Sequence, residues 1–177
     1  SGPVITGAVQ PERRADLRRT YLRLGTGEIA AAIVFAVLAQ VTVRPLLPAS
    51  AEEIVLWVAL LPLEVVLLQA GVYWLLARSW LLRAPMPAAT ATAYRCLRAA
   101  TALLLVVSLL VLLVQLPDEP MVAALVLAIW ACAAVEFVNY YLIRLAYPVG
   151  GWVAGVRARR EPRLARDLRG ARQRSTG

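Results

Sequence analysis

The chain contains no histidine, no lysine and only two cysteines. Each absence removes a class of chemistry. Without histidine there is no His-ligated haem, no histidine-containing zinc or non-haem iron centre, and no Ser-His-Asp triad. Without lysine there is no Schiff base, which excludes a retinal protein. Cys96 and Cys132 form no C-x-x-C pair. Quinone-linked thiol oxidation is therefore not expected, and both cysteines read as small apolar packing residues. No cofactor and no metal is expected.

What the chain has in excess is apolar sequence. Of its 177 residues 60% are hydrophobic, with a mean hydropathy of +0.67, above the roughly half that is usual for a soluble domain. Four apolar runs, at 22–43, 54–77, 99–116 and 121–145, are separated by Arg-rich or acidic connectors. Each approaches or exceeds the ~20 residues that cross a ~30 Å hydrocarbon layer as a helix. The first run is too long for a signal-peptide core and ends at Arg44-Pro45 without a small-residue cleavage site, so it is expected to be a retained span. The fold class expected is all-α, an integral membrane four-helix bundle with short loops. A basic N-terminal segment would occupy 1–21, the bundle 22–147 and an Arg-rich tail 148–177.

Charge sets the orientation. All 19 basic residues are arginine. Arg13, Arg14, Arg18, Arg19 and Arg23 precede the first run, Arg78, Arg83, Arg95 and Arg98 lie between the second and third, and Arg144 with eight more follows the fourth. Only Arg44 falls on the other side, which carries Glu52, Glu53, Asp118 and Glu119. The excess of arginine on cytoplasmic loops predicts both termini in the cytoplasm and a place in the cytoplasmic (inner) membrane.

Local signals mark the helix ends. Ser50-Ala51-Glu52-Glu53 has the spacing of a capping box. Pro117-Asp118-Glu119-Pro120 is so short a connector that the third and fourth spans must form an antiparallel hairpin. Trp80 and Trp152 are placed for the cytoplasmic headgroup level, and Trp57 for the outer one. The segment 156–174 holds eight arginines and two acids, and together with the N-terminal segment is expected to be drawn to anionic lipid, at about 1 kcal/mol per Arg near the surface. No aromatic interleaving suggests a specific nucleic-acid partner. A homo-oligomer or a subunit role in a membrane complex is expected.

Three carboxylates lie inside the apolar runs, where an ionisable group costs about 2.5–3.5 kcal/mol at mid-bilayer and usually faces a bundle interior or a wet cavity. Glu28 stands about one and a half turns into the first run, Glu64 near the middle of the second, and Glu136 roughly two turns above the end of the fourth. Pro62, two residues from Glu64, weakens the local helix. On the fourth run Cys132, Glu136, Asn139, Tyr140 and Tyr147 share one stripe, bordered by Arg144, while Tyr141 points away from it toward the interface. On the third, Tyr94, Arg98, Thr101 and Ser108 share a face. On the first, Gly25, Glu28, Ala32, Ala36 and Ala39 make a small-residue face suited to close helix contact. On the second, Trp57, Glu64 and Gly71 align.

With these faces inward, the bundle would enclose a polar site toward the cytoplasmic leaflet. Glu28, Glu64 and Glu136 would supply acid, Arg98 and Arg144 base, and Asn139 and Tyr140 neutral hydrogen bonds. The reading favoured is transport or permeation of a proton or a small polar or cationic solute. Two alternatives stand beside it: a non-catalytic accessory subunit, and a small lipid- or prenyl-active enzyme with arginine on phosphate and glutamate as acid or base. Against all three stands plain structure, in which the glutamates pair with Arg23, Arg98 or Arg144 and fasten the helices.

Overall fold

The computed structural model describes residues 9–47, 50–80 and 86–142. Among these the chain is helical with no strand: α1 Val9–Leu38, α2 Ser50–Trp80, α3 Ala88–Val114 and α4 Pro120–Tyr141. All four are long and apolar enough to cross a membrane. The segment 143–177, with Arg144, Tyr147, Trp152 and the basic tail, lies outside the described residues.

The helices are longer than the apolar runs. α1 starts at Val9, so the basic segment from there on is helical and continuous with the first apolar run. α3 starts at Ala88, so Arg95 and Arg98, which precede the third apolar run, already lie inside the helix. Alanine and threonine fill 88–93 and are tolerated in a helix, so helix formation continues past the end of the apolar pattern.

Proline and glutamate shape the ends. α1 widens into a π-helical turn at Ala39–Val43, closed by the Arg44 N–H on the Ala39 carbonyl, and tightens into a 3-10 turn at Arg44–Leu46. Pro45 accounts for this, since it has no N–H and its ring clashes with the carbonyl four residues back. α4 opens with Pro120 in its first turn, where the missing N–H would be unpaired anyway. The Glu119 carboxylate accepts from the Val122 N–H at 2.7 Å, capping that turn. Arg44 Nε bridges Glu53 Oε1 at 2.8 Å across the α1–α2 connection. The one arginine on the acidic side is thereby neutralised, though an exposed pair of this kind adds at most about 1 kcal/mol. Glu53, expected to cap its own helix, directs that oxygen to Arg44.

α2 is the centre of the bundle. It packs on each of the other three helices, and 56% of its apolar window is buried against 11%, 22% and 17% for α1, α3 and α4. Its buried residues run Val55, Leu56, Ala59, Leu60, Leu63, Val66, Leu67, Ala70, Tyr73 and Ala77, spaced so that contact is made on several sides. Pro62 is itself buried and α2 continues through it.

The α1–α2 seam is the closest contact. Tyr21, Gly25, Ala32 and Ala39 are buried along one stripe of α1, at the spacings of four and seven that keep a seam aligned. Gly25 meets Gly71: a Cβ on Gly25 would stand 2.9 Å from the Gly71 carbonyl oxygen, and one on Gly71 would stand 3.0 Å from the Gly25 carbonyl oxygen. Only glycine on both sides allows backbones this near. Below this pair Tyr21 packs edge-on to Trp74 with centroids 5.0 Å apart.

α3 presents Tyr94, Thr101 and Ser108, all buried at intervals of seven. Its other side, including Leu103, Val106, Leu110 and Leu113, is bare. Trp130 of α4 donates to the Leu105 carbonyl and to Ser108 Oγ, each at 3.1 Å, and so fastens the hairpin. Trp80 is buried in the core. Trp57 is half-buried against the same core. Cys96 and Cys132 are exposed, not packed inside.

Candidate functional site

Two polar clusters stand side by side where α4 meets α2. In the first, the Tyr140 hydroxyl donates to Glu28 Oε1, joining α4 to α1. Glu136, one turn before Tyr140, is hydrogen-bonded to Asn139 and lies within electrostatic reach of Glu28. The Trp74 indole stands beside Tyr140, but its N–H is buried without a hydrogen-bond acceptor. Four of the residues expected to share a site, Glu28, Glu136, Asn139 and Tyr140, are thus brought together, all of them half-buried.

The second cluster centres on Gln69 of α2. Gln69 Nε2 donates to Thr101 Oγ1 at 2.9 Å, and its Oε1 accepts from the Tyr141 hydroxyl at 2.7 Å. The Tyr94 hydroxyl donates to the Gln69 carbonyl at 3.1 Å. One amide side chain therefore ties α2 to α3 and α4. Such bonds between membrane helices are worth about 0.6 kcal/mol each on average, and three at one residue make a firm joint. Gln69 was not among the expected residues, which on α2 were Trp57, Glu64 and Gly71, because it lies off their stripe. The signal was present in Leu67-Leu68-Gln69-Ala70, since a lone amide in an apolar span must find partners.

Tyr141 is a further correction. It was expected at the interface, yet it is 2% exposed. The reason is geometric: α4 lies in an angle whose two walls are formed by α1 with α2 and by α2 with α3. Its covered face is then at least ~100° wide, enough to hold Tyr140 on the α1 side and Tyr141 on the α3 side. The cover follows the stripe of Ala123, Val126, Ala133, Phe137 and Tyr141, and Cys132, which lies off it, is exposed.

The remaining expected residues stand apart. Glu64 lies five positions from Gln69 toward the hairpin end, and its Oε1 is buried with no hydrogen-bond partner. The register set by Gly25 and Gly71 places it at the level of Ala32 and Ala36 of α1. Arg98 is exposed on α3 near Tyr141 and not beside the carboxylates. Arg144 is outside the described residues. Among the described residues Arg44 with Glu53 is the ion pair formed, so neither Arg23 nor Arg98 neutralises Glu28 or Glu136. No group of three or more metal-ligating side chains occurs among them.

The first cluster can accept a positive charge. Two carboxylates from different helices share one environment, one is held by a phenol and the other by an amide, and aromatic rings adjoin them. Comparison with protein-family models, with curated proteins and with solved structures finds no match to this chain.

Proposed function

We propose that the chain is an integral membrane protein that passes a proton or a small cation across the bilayer, with Glu28 and Glu136 as its binding site and both termini in the cytoplasm. The observation that carries this reading is the approach of these two carboxylates without a cation among the described residues. Like charges held together favour taking up positive charge, and intramembrane carboxylates of this sort commonly mark ion and proton pathways.

Depth supports the same reading. From the α3–α4 turn a ~30 Å hydrocarbon layer is crossed in about 20 residues. That count reaches Tyr94 from Val114 and Tyr140 from Pro120. The carboxylate pair then stands where the apolar layer gives way on the side of the termini, and Glu64 is a step further in. Arginine excess assigns that side to the cytoplasm.

Two experiments test this. With Cys96 and Cys132 replaced by serine, Asp118→Cys in cells is expected to react with a membrane-impermeant maleimide from outside, and Thr20→Cys only after permeabilisation; the opposite pattern overturns the orientation. In proteoliposomes holding a trapped pH dye, an imposed potassium-valinomycin potential is expected to drive proton flux well above that of protein-free vesicles. Equal rates in the two sets of vesicles overturn proton permeation.

A subunit role is the second reading. Its support is the low burial of α1, α3 and α4, which leaves broad apolar faces for lipid or for another membrane helix. The reading as a phosphate-handling enzyme has less support, because Arg98 stands away from the carboxylates.

A further inference from the structure

The α1–α2 seam has a regular order toward the termini. The glycine pair Gly25 and Gly71 is followed by the aromatic pair Tyr21 and Trp74. The next position on each stripe is an arginine. Arg18 is seven residues before Gly25, and Arg78 is seven after Gly71 and four after Trp74. Residues seven apart drift only ~20° around a helix, so both arginines remain on the facing stripes and at the same level.

Arg78 is half-buried, and its Nε is fully buried without an acceptor. Neither arginine forms an ion pair among the described residues. The nearest acid in sequence, Asp16, is exposed and lies nine residues from Gly25, which turns it to the far side of α1. Leu17, beside Arg18, packs against the core. Two arginines at one level at the end of a tight seam, one with a buried unpaired donor, leave a local electrostatic cost that an anion would remove.

We propose that Arg18 and Arg78 hold a phosphate-bearing anion between α1 and α2. The planar guanidinium fork fits phosphate oxygens in pairs, and basic pockets between membrane helices on the cytoplasmic side are suited to lipid headgroups. A phosphodiester headgroup and soluble phosphate share this chemistry. The site is independent of the Glu28–Glu136 cluster and of the general attraction of the basic tails.

The test is native mass spectrometry of the full chain in neutral detergent, titrated in separate arms with phosphatidylglycerol, phosphatidylcholine and inorganic phosphate. Arg18→Gln and Arg78→Gln are each expected to weaken phosphatidylglycerol binding about tenfold, the loss of one charge-assisted contact. Arg95→Gln, on α3 with its guanidinium on Thr92, is expected to bind as wild type. The basic tail is intact in every variant. If inorganic phosphate shows the same dependence on Arg18 and Arg78 and the lipid does not, the anion site stands with a soluble ligand. If Arg18→Gln and Arg78→Gln bind both anions as wild type does, the proposal is overturned. Arg18 is exposed, so its variant decides the matter even where Arg78→Gln impairs folding.

Discussion

Replacing Gly71 by valine is expected to separate α1 from α2. A Cβ at this position would lie 2.7 Å from Ile29 Cγ1 and 3.0 Å from the Gly25 carbonyl oxygen. The isoleucine can turn aside, but the carbonyl belongs to the opposing backbone, so the helices themselves must move. Gly25→Val meets the mirror situation, with Leu75 Cγ at 2.8 Å and the Gly71 carbonyl oxygen at 2.9 Å. Overpacking of this kind costs about 1–3 kcal/mol, and separation would also strain the Tyr21–Trp74 packing and the Tyr140–Glu28 hydrogen bond. Each valine variant is expected to lose about 2–3 kcal/mol in reversible unfolding. Gly27→Ala is the control: no atom lies within 4 Å of the Cβ it would add, and a change within about 0.5 kcal/mol is expected. Because the two seam glycines touch, the double valine variant should cost less than the sum. A Gly71→Val protein as stable as wild type would show that α1 does not pack on α2 in this register.

The second large effect concerns the carboxylates. Glu28→Gln and Glu136→Gln are expected to lower proton flux in proteoliposomes by about ten- to a hundredfold each, the rate equivalent of one lost charge-assisted interaction of ~1.5–3 kcal/mol. Both variants keep the side-chain volume and a hydrogen-bond acceptor, so the fold should survive. Unchanged chromatographic behaviour and thermal stability are expected alongside the loss of flux. Tyr140→Phe leaves both carboxylates in place and removes the hydroxyl that Glu28 accepts from. Its expected effect is smaller, about threefold to tenfold, corresponding to roughly 1 kcal/mol. If the glutamine variants unfold and wild type carries no flux, the carboxylates serve as fastening between helices.

Much of this architecture is legible in the residues. Four apolar runs give four helices, Pro120 and Glu119 give the start of the last one, and the small face of α1 around Gly25 gives a close contact. Glu28, Glu136, Asn139 and Tyr140 were grouped by spacing along single helices. Spacing of this kind shows which side chains share a face; it does not show how wide a face a neighbour covers. Tyr141 and Cys132 are the consequence. Tyr141 is covered because two walls meet at α4, and Cys132 is bare because it lies off the covered stripe of Ala133, Phe137 and Tyr141. Arg98 illustrates the same limit, since it shares a face with Tyr94 and Thr101 while its long side chain leaves the buried stripe. Gln69 was passed over for a different reason: it lies off the stripe of Trp57, Glu64 and Gly71, yet lipid makes its unsatisfied bonds costly enough to organise three helices around it.

The claim at the centre of this account is that Glu28 and Glu136 act as one site. Proton flux through Glu28→Gln, Glu136→Gln and the double variant, measured under one imposed potential, tests it most directly. A single site predicts that the double variant loses no more than the more damaged of the two singles, because either change already empties the site. Losses that multiply in the double variant would mean two groups acting independently, and would contradict it.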